Sequence, residues 1–151
     1  MAFWSASEPP LGRRWFNAGD RRGGSAYRSK RTRLFMLSRE RRVTRRQFLP
    51  IMEESRAWHS PTMSLRVSRR GEKEPTKPTL FAFVVSNKVA ARAVDRNKLK
   101  RRARAIVREL LPQIKDNYAC LLFFKKEARS LSYQELKKSI TNVLHLSSVI
   151  L

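Results

Sequence analysis

The chain has 151 residues, with 34 Lys and Arg against 12 Asp and Glu and a formal net charge of +22. A charge that large repels itself until a polyanion neutralises it, so RNA, DNA and anionic membrane surfaces are the partner classes to weigh. No apolar run is long enough to span a bilayer and no signal-peptide core opens the chain, while a hydrophobic fraction of 41% argues against global disorder.

Residues 1–35 differ from the rest. They hold Gly12, Gly19, Gly23 and Gly24, and their apolar residues have no period. Their arginines and lysines face only Glu8 and Asp20, the composition of a disordered basic arm. A second reading stays open, that Met36 is the natural start. Residues 36–151 then form one domain. Residues 36–47 are again basic. Phe48, Leu49, Ile51 and Met52 supply an apolar patch for a short helix, in which Pro50 fits only in the first turn or at a bend. Arg45 and Arg46 precede Phe48, whose ring suits either a core or a groove that stacks bases.

Ser55 to Ser60 reads as a loop, and the pattern of the domain leaves room for one further short strand. Met63, Leu65 and Val67 alternate with polar residues, the pattern of a half-buried strand. Residues 69–78 are a polar turn region. Leu80 to Ser86 is a continuous apolar run, which suits a central strand buried on both faces. Asp116-Asn117 makes a turn, and Tyr118 to Phe124 is a second fully apolar strand. Phe81, Phe83, Phe123 and Phe124 are read as core. Ser132 and Glu135 form a capping box that opens a last helix, with Leu136, Ile140, Val143 and Leu144 at helical spacing.

Between these strands lies the densest run of positive charge, Ser86 to Leu111. From Asp95, which can cap the first turn, it predicts one helix that Pro112 stops. At about 100° per residue Asn97, Arg101, Arg104 and Arg108 share a stripe, flanked by Arg96, Lys98 and Lys100. Leu99, Ala103, Ile106 and Leu110 lie opposite. Too few acids are present for the arginines to be spent on ion pairs along the helix, which leaves phosphate as their partner.

Catalytic groups do not gather. The acidic residues form no carboxylate cluster of the kind that holds divalent ions, and no glycine-rich phosphate loop exists. One cysteine, Cys120, lies in an apolar strand and reads as core, which excludes a cysteine-based zinc site, and His59 and His145, the only histidines, are a poor basis for one built on histidine. The chain is built to bind.

The residues from Ser86 to Glu109 resemble the signature of the protein subunit of bacterial ribonuclease P. Ser86 and Lys88, Ala93-Val94, and then Arg96, Asn97, Lys100, Arg101 and Arg104 carry the match, with Arg92, Lys98 and Arg108 in the same run. The stretches beginning at Met36 and Leu131 resemble the flanks of that family. The resemblance implies an α+β sandwich in the order αβββαβα, with a small central sheet and a left-handed β-α-β crossover through the basic helix. It implies an RNA-binding subunit of a ribonucleoprotein that removes the 5′ leader of precursor tRNA, with the chemistry done by RNA and Mg²⁺ held mainly by the RNA. The implied partners are the RNA subunit and precursor tRNA, with no membrane, for a cytoplasmic protein that is monomeric within the complex. The implied leader cleft involves Arg45, Arg46, Phe48, Met52 and Arg66. Met52 and Arg66 stand where related proteins often have aromatics, Asn87 where a second lysine is common, and Ala90 where glycine is frequent. A structural RNA-binding protein of ribosomal type is the alternative. A duplex-DNA reader is less suited, because no helix with a tight turn precedes Asp95.

Overall fold

The computed structural model describes residues 37–71 and 76–151. The arm expected over residues 1–35, and the question of a start at Met36, lie outside the described residues.

The elements follow the order αβββαβα. They are α1 (Arg45–Glu54), β1 (Arg56–His59), β2 (Met63–Arg69), β3 (Leu80–Val84), α2 (Ala93–Leu110), β4 (Tyr118–Phe124) and α3 (Tyr133–Leu146). The sheet has four strands in the order β1-β2-β4-β3. β2 runs antiparallel to β1 and to β4, whereas β3 and β4 are parallel and joined through α2.

Register decides the two faces. Met63, Leu65 and Val67 stand opposite Phe124, Leu122 and Cys120, and Phe81 and Phe83 continue those rows. On this face α2 buries Leu99, Ala103, Ile106, Val107 and Leu110, and α3 buries Leu136, Ile140, Val143 and Leu144. Each large aliphatic side chain removed from water there contributes about 1.5–3 kcal/mol. Cys120 is part of this core, and burial pushes its thiol well above its ordinary pKa. The second face carries Ser64, Arg66 and Ser68 on β2, Ala119, Leu121 and Phe123 on β4, and Leu80, Ala82 and Val84 on β3. There α1 packs against β2.

Four expectations need correction. Ser55 to Ser60 is not all loop, because Arg56–His59 forms the edge strand β1, closed onto β2 by the Ser60 amide donating to the Met63 carbonyl at 2.8 Å. An edge strand needs few apolar residues, and Trp58, opposite Leu65, is the large one that β1 supplies. The run at Leu80 is not central. β4, last in sequence, inserts between β2 and β3 and leaves β3 at the edge. That edge is partly covered, since Arg42 bridges to Phe81 and the Val43 amide donates to the Phe81 carbonyl at 3.1 Å. α2 begins at Ala93, with Arg92 rather than Asp95 before it; Asp95 lies inside the first turn, 3.6 Å from Arg129. Its charge still favours the positive end of the helix. Finally, Pro50 lies in the interior of α1 and not in its first turn, the one place open to it without a bend. It lies on the exposed side, and its missing amide leaves the Arg46 carbonyl without its helical partner.

The capping box of the last helix is present. The Ser132 amide donates to Glu135 Oε2 at 2.8 Å, and the Glu135 amide donates to Ser132 Oγ at 3.3 Å. Past α3 the chain returns beside the end of α2, where Ile150 bridges to Ile114.

Candidate nucleic-acid interface

α2 presents two faces because its buried residues recur at three and four. Opposite them Asn97, Lys98, Arg101 and Arg108 are exposed, while Lys100 and Arg104 are half-buried. The stripe expected from sequence is therefore intact. Its charge is not cancelled by its own acids. Glu109 accepts from Lys137 Nζ at 2.7 Å and from the Tyr133 hydroxyl at 2.8 Å, both on α3, and Asp95 faces Arg129. Among the described residues no ion pair engages Arg101, Arg104 or Arg108. Burial, and then the nearby Arg42 cation, lower the pKa of Arg104. Two guanidinium groups held in one another's field gain from a bound anion.

The approach to α2 is a tight turn. The Ser86 carbonyl accepts from the Val89 and Ala90 amides at 3.1 and 3.3 Å, with Ser86, Asn87 and Lys88 exposed and Val89 and Ala90 buried. Among the described non-glycine residues only Asn117 and Ser148 have positive φ, so position 90 makes no demand for glycine and alanine fits. Arg92 is exposed at the helix start. Arg96 Nη1 donates to the Ala90 and Ala91 carbonyls at 2.9 and 2.6 Å. It ties the turn carrying Lys88 and Arg92 to the first turn of α2. Sequence spacing puts Arg96 among the RNA-binding residues; the structure adds that it straps this surface together.

The second face of the sheet meets α1. Phe48 lies edge-on to Phe123, with ring centroids 6.3 Å apart and planes at 62°. Both rings are half-buried, and α1 has no fully buried residue. Arg66 Nη1 donates to the Met52 carbonyl at 3.0 Å, so the guanidinium anchors the end of α1 to β2. Arg45 and Arg46 are exposed in the first turn. Thus Phe48, Met52 and Arg66 come together, whereas Arg45 and Arg46 flank them at the helix entrance.

Phe123 corrects the sequence reading, which places it in the core with Phe81, Phe83 and Phe124. Phe81 and Phe124 are buried there, and Phe83 is half-buried, stacked on Phe81 at 6.4 Å. Phe123, opposite Ser64, belongs to the other face. Alternation along Tyr118–Phe124 puts Phe123 and Phe124 on opposite faces, but which of them meets α1 follows from the β2–β4 register and not from the run itself.

Among the described residues no three His, Cys, Asp or Glu side chains gather in a way that could hold a metal. No described helix is long and apolar enough to cross a membrane.

With this geometry in place, the known proteins it resembles can be set beside it. The family model described as Ribonuclease P matches residues 36–146. The ribonuclease P protein component of a Pseudanabaena species is 33% identical over 116 residues, covering 76% of this chain and 97% of that protein. The fold is that of the ribonuclease P protein of Staphylococcus aureus, with a TM-score of 0.64 at 20% identity over 74% of this chain and 98% of that one. The Thermotoga maritima protein gives a TM-score of 0.61 at 23% identity, over 68% and 94% of the two chains. A match over this span, with the Arg-Asn helix seated on the same fold, has one meaning: the chain belongs to the bacterial ribonuclease P protein family, the protein component of the endoribonuclease that processes the 5′ end of tRNA.

Proposed function

We propose that the protein holds two RNAs on opposite sides of its sheet. The exposed stripe of α2 docks on the RNA subunit of ribonuclease P, and the surface between α1 and the second sheet face grips the single-stranded 5′ leader of precursor tRNA. The observation that carries this reading is the segregation of side chains. Arg101, Arg104 and Arg108 lie on a helix over one face, and the half-buried pair Phe48 and Phe123 lies on the other.

The two chemistries suit different RNAs. Guanidinium groups neutralise phosphates whatever the sequence, as a folded RNA scaffold requires. Unstacked bases of a single strand gain from flat apolar rings, at about 1–3 kcal/mol per stacked base. Phe48 and Phe123 present ring area for one or two bases, and Arg45 and Arg46 supply charge for the phosphates between them. Arg66 and Met52 set the position of α1 over the sheet.

In this reading the protein binds and orients while the RNA supplies the catalytic groups, and Mg²⁺ is coordinated by the RNA. The protein acts as a single copy per complex, in the cytoplasm where precursor tRNA is made. The test is reconstitution with a bacterial ribonuclease P RNA. The protein should raise precursor-tRNA cleavage at low Mg²⁺ and bind precursor more tightly than mature tRNA. A protein that changes neither cleavage nor substrate affinity would sink the reading.

A further inference from the structure

A groove of about 440 Å³ lies at the β3 edge, with Leu80 of the second sheet face in its floor and neither Phe48 nor Phe123 in its lining. Arg39 and Arg42 line one wall and Arg70 and Lys77 the other, with Thr44 and Gln47 of the α1 entrance between them. Among the described residues Glu40 is the acid at its rim, and Leu80 and Pro78 form its apolar floor. Cations from two separate stretches thus converge on one concave site, beside the positive end of α1.

The walls are fixed by the backbone. On one side Arg42 Nε and Nη2 donate to the Leu37 carbonyl at 2.9 and 2.6 Å, and Val43 is bonded to the β3 edge. On the other, Asn117 clips the two ends of the β2–β3 connection together. Its carbonyl accepts from the Arg70 amide at 2.7 Å, its amide donates to the Lys77 carbonyl at 2.9 Å, and its Oδ1 accepts from the Lys77 amide at 2.6 Å. Asn117 does this at φ 67, a left-handed conformation that asparagine tolerates better than most residues. Arg70 Nη1 further donates to the Pro78 carbonyl at 3.3 Å. Such a rigid concave array loses little entropy on binding.

Arg42 also reaches the α2 side: its guanidinium holds the carbonyl of Leu37, whose side chain is buried in the core with Leu99 and Ala103 of α2, and its charge acts on Arg104. The groove and the α2 stripe are therefore neighbouring parts of one cationic track around the sheet edge. We infer that the groove binds the phosphate backbone of the same RNA subunit that docks on α2, extending that interface past Arg42 to Arg39 and Arg70. This rests on the assignment of α2 to the RNA subunit. The leader is the competing occupant.

The experiment uses the full chain, a ribonuclease P RNA and a salt titration. Arg39→Ala with Arg70→Ala should weaken RNA-subunit binding about tenfold or more at moderate salt. The slope of log affinity against log salt should fall by roughly 0.7–0.9 for each phosphate no longer neutralised. The dependence of precursor affinity on leader length should stay as in the unaltered protein. Arg101→Ala with Arg104→Ala is the control. If the control weakens subunit binding and the groove variant leaves the slope unchanged, the groove carries no RNA. If neither variant has an effect, the α2 assignment itself fails. A loss confined to leader-dependent affinity would hand the groove to the leader and overturn the inference. A second measurement avoids any effect of Arg70 on the connection. Cys120 is buried, so Thr76→Cys beside Lys77 gives one reactive thiol for a hydroxyl-radical source. Strand scission should map to the RNA subunit; scission of the leader alone would refute the proposal.

Discussion

The α2 surface and the α1 surface are supported in opposite ways. α2 rests on five buried side chains, and its flanking acids are occupied by α3 and Arg129, so its cations are held over a rigid base. α1 has no buried residue, carries Pro50 in its interior, and is held by an aromatic edge contact and by Arg66. The first arrangement suits a permanent partner with many phosphates. The second suits a strand that enters and leaves, because a lightly held helix adjusts at little cost. Charge and packing are thus divided: one face is stable and electrostatic, the other adaptable and apolar.

The largest test of this contrast is in stability. Ile106→Ala removes a fully buried side chain beneath the α2 stripe and should cost about 2–5 kcal/mol. Phe48→Ala, at a half-buried position, should cost distinctly less. Urea denaturation of both variants checks the ranking, and equal losses would mean that α1 is as firmly built as α2.

Next in size, Arg101→Ala with Arg104→Ala should lose roughly 1.5–3 kcal/mol of RNA-subunit affinity for each charged interaction removed. The salt slope should flatten with it, as filter binding over a salt series will show. Preserved affinity would break the electrostatic half of the comparison. For the other half, Phe48→Ala should lower precursor affinity by about 1–3 kcal/mol while leaving mature-tRNA affinity alone. Equal loss for both RNAs would make Phe48 a packing residue.

The smallest effect concerns the bond between α2 and α3. Hydrogen bonds from Lys137 first, then Tyr133, lower the Glu109 pKa. A carboxyl with a lowered folded pKa stabilises above its unfolded value, and the gain fades as pH falls through the folded one. Tyr133 is pushed up to about 12, by burial first and then by Glu109, so its contribution is full below its ordinary value of 10 and is lost as pH rises toward 12. Glu109→Gln should therefore lower the melting temperature slightly at neutral pH, with the difference from the unaltered protein vanishing in acid. The pair is exposed and worth at most about 1 kcal/mol. A gap that persists in acid would show that charge is not its source.

Much of this was legible in the chain. The α2 stripe could be read because helical spacing converts residue order directly into faces. The capping box at Ser132 and Glu135 could be read because its two bonds join residues three apart. The alternation of Met63, Leu65 and Val67 likewise marked one face of β2. What could not be read was any feature that depends on a distant neighbour. β1 has too few apolar residues to announce itself and exists because Leu65 stands opposite Trp58. Arg96 matches its neighbours on the wheel, and only the fold brings the loop carbonyls within its reach.

By itself, then, the sequence determined the elements other than β1 and the cationic face of α2, since these follow from local spacing. Only the tertiary structure decided that β4 enters between β2 and β3, and hence which face Phe123 shares with Phe48. Only it brought Arg39 and Arg42 opposite Arg70 and Lys77 at the β3 edge. Strand order and groove walls arise from pairings between segments far apart in the chain, and no local periodicity records them.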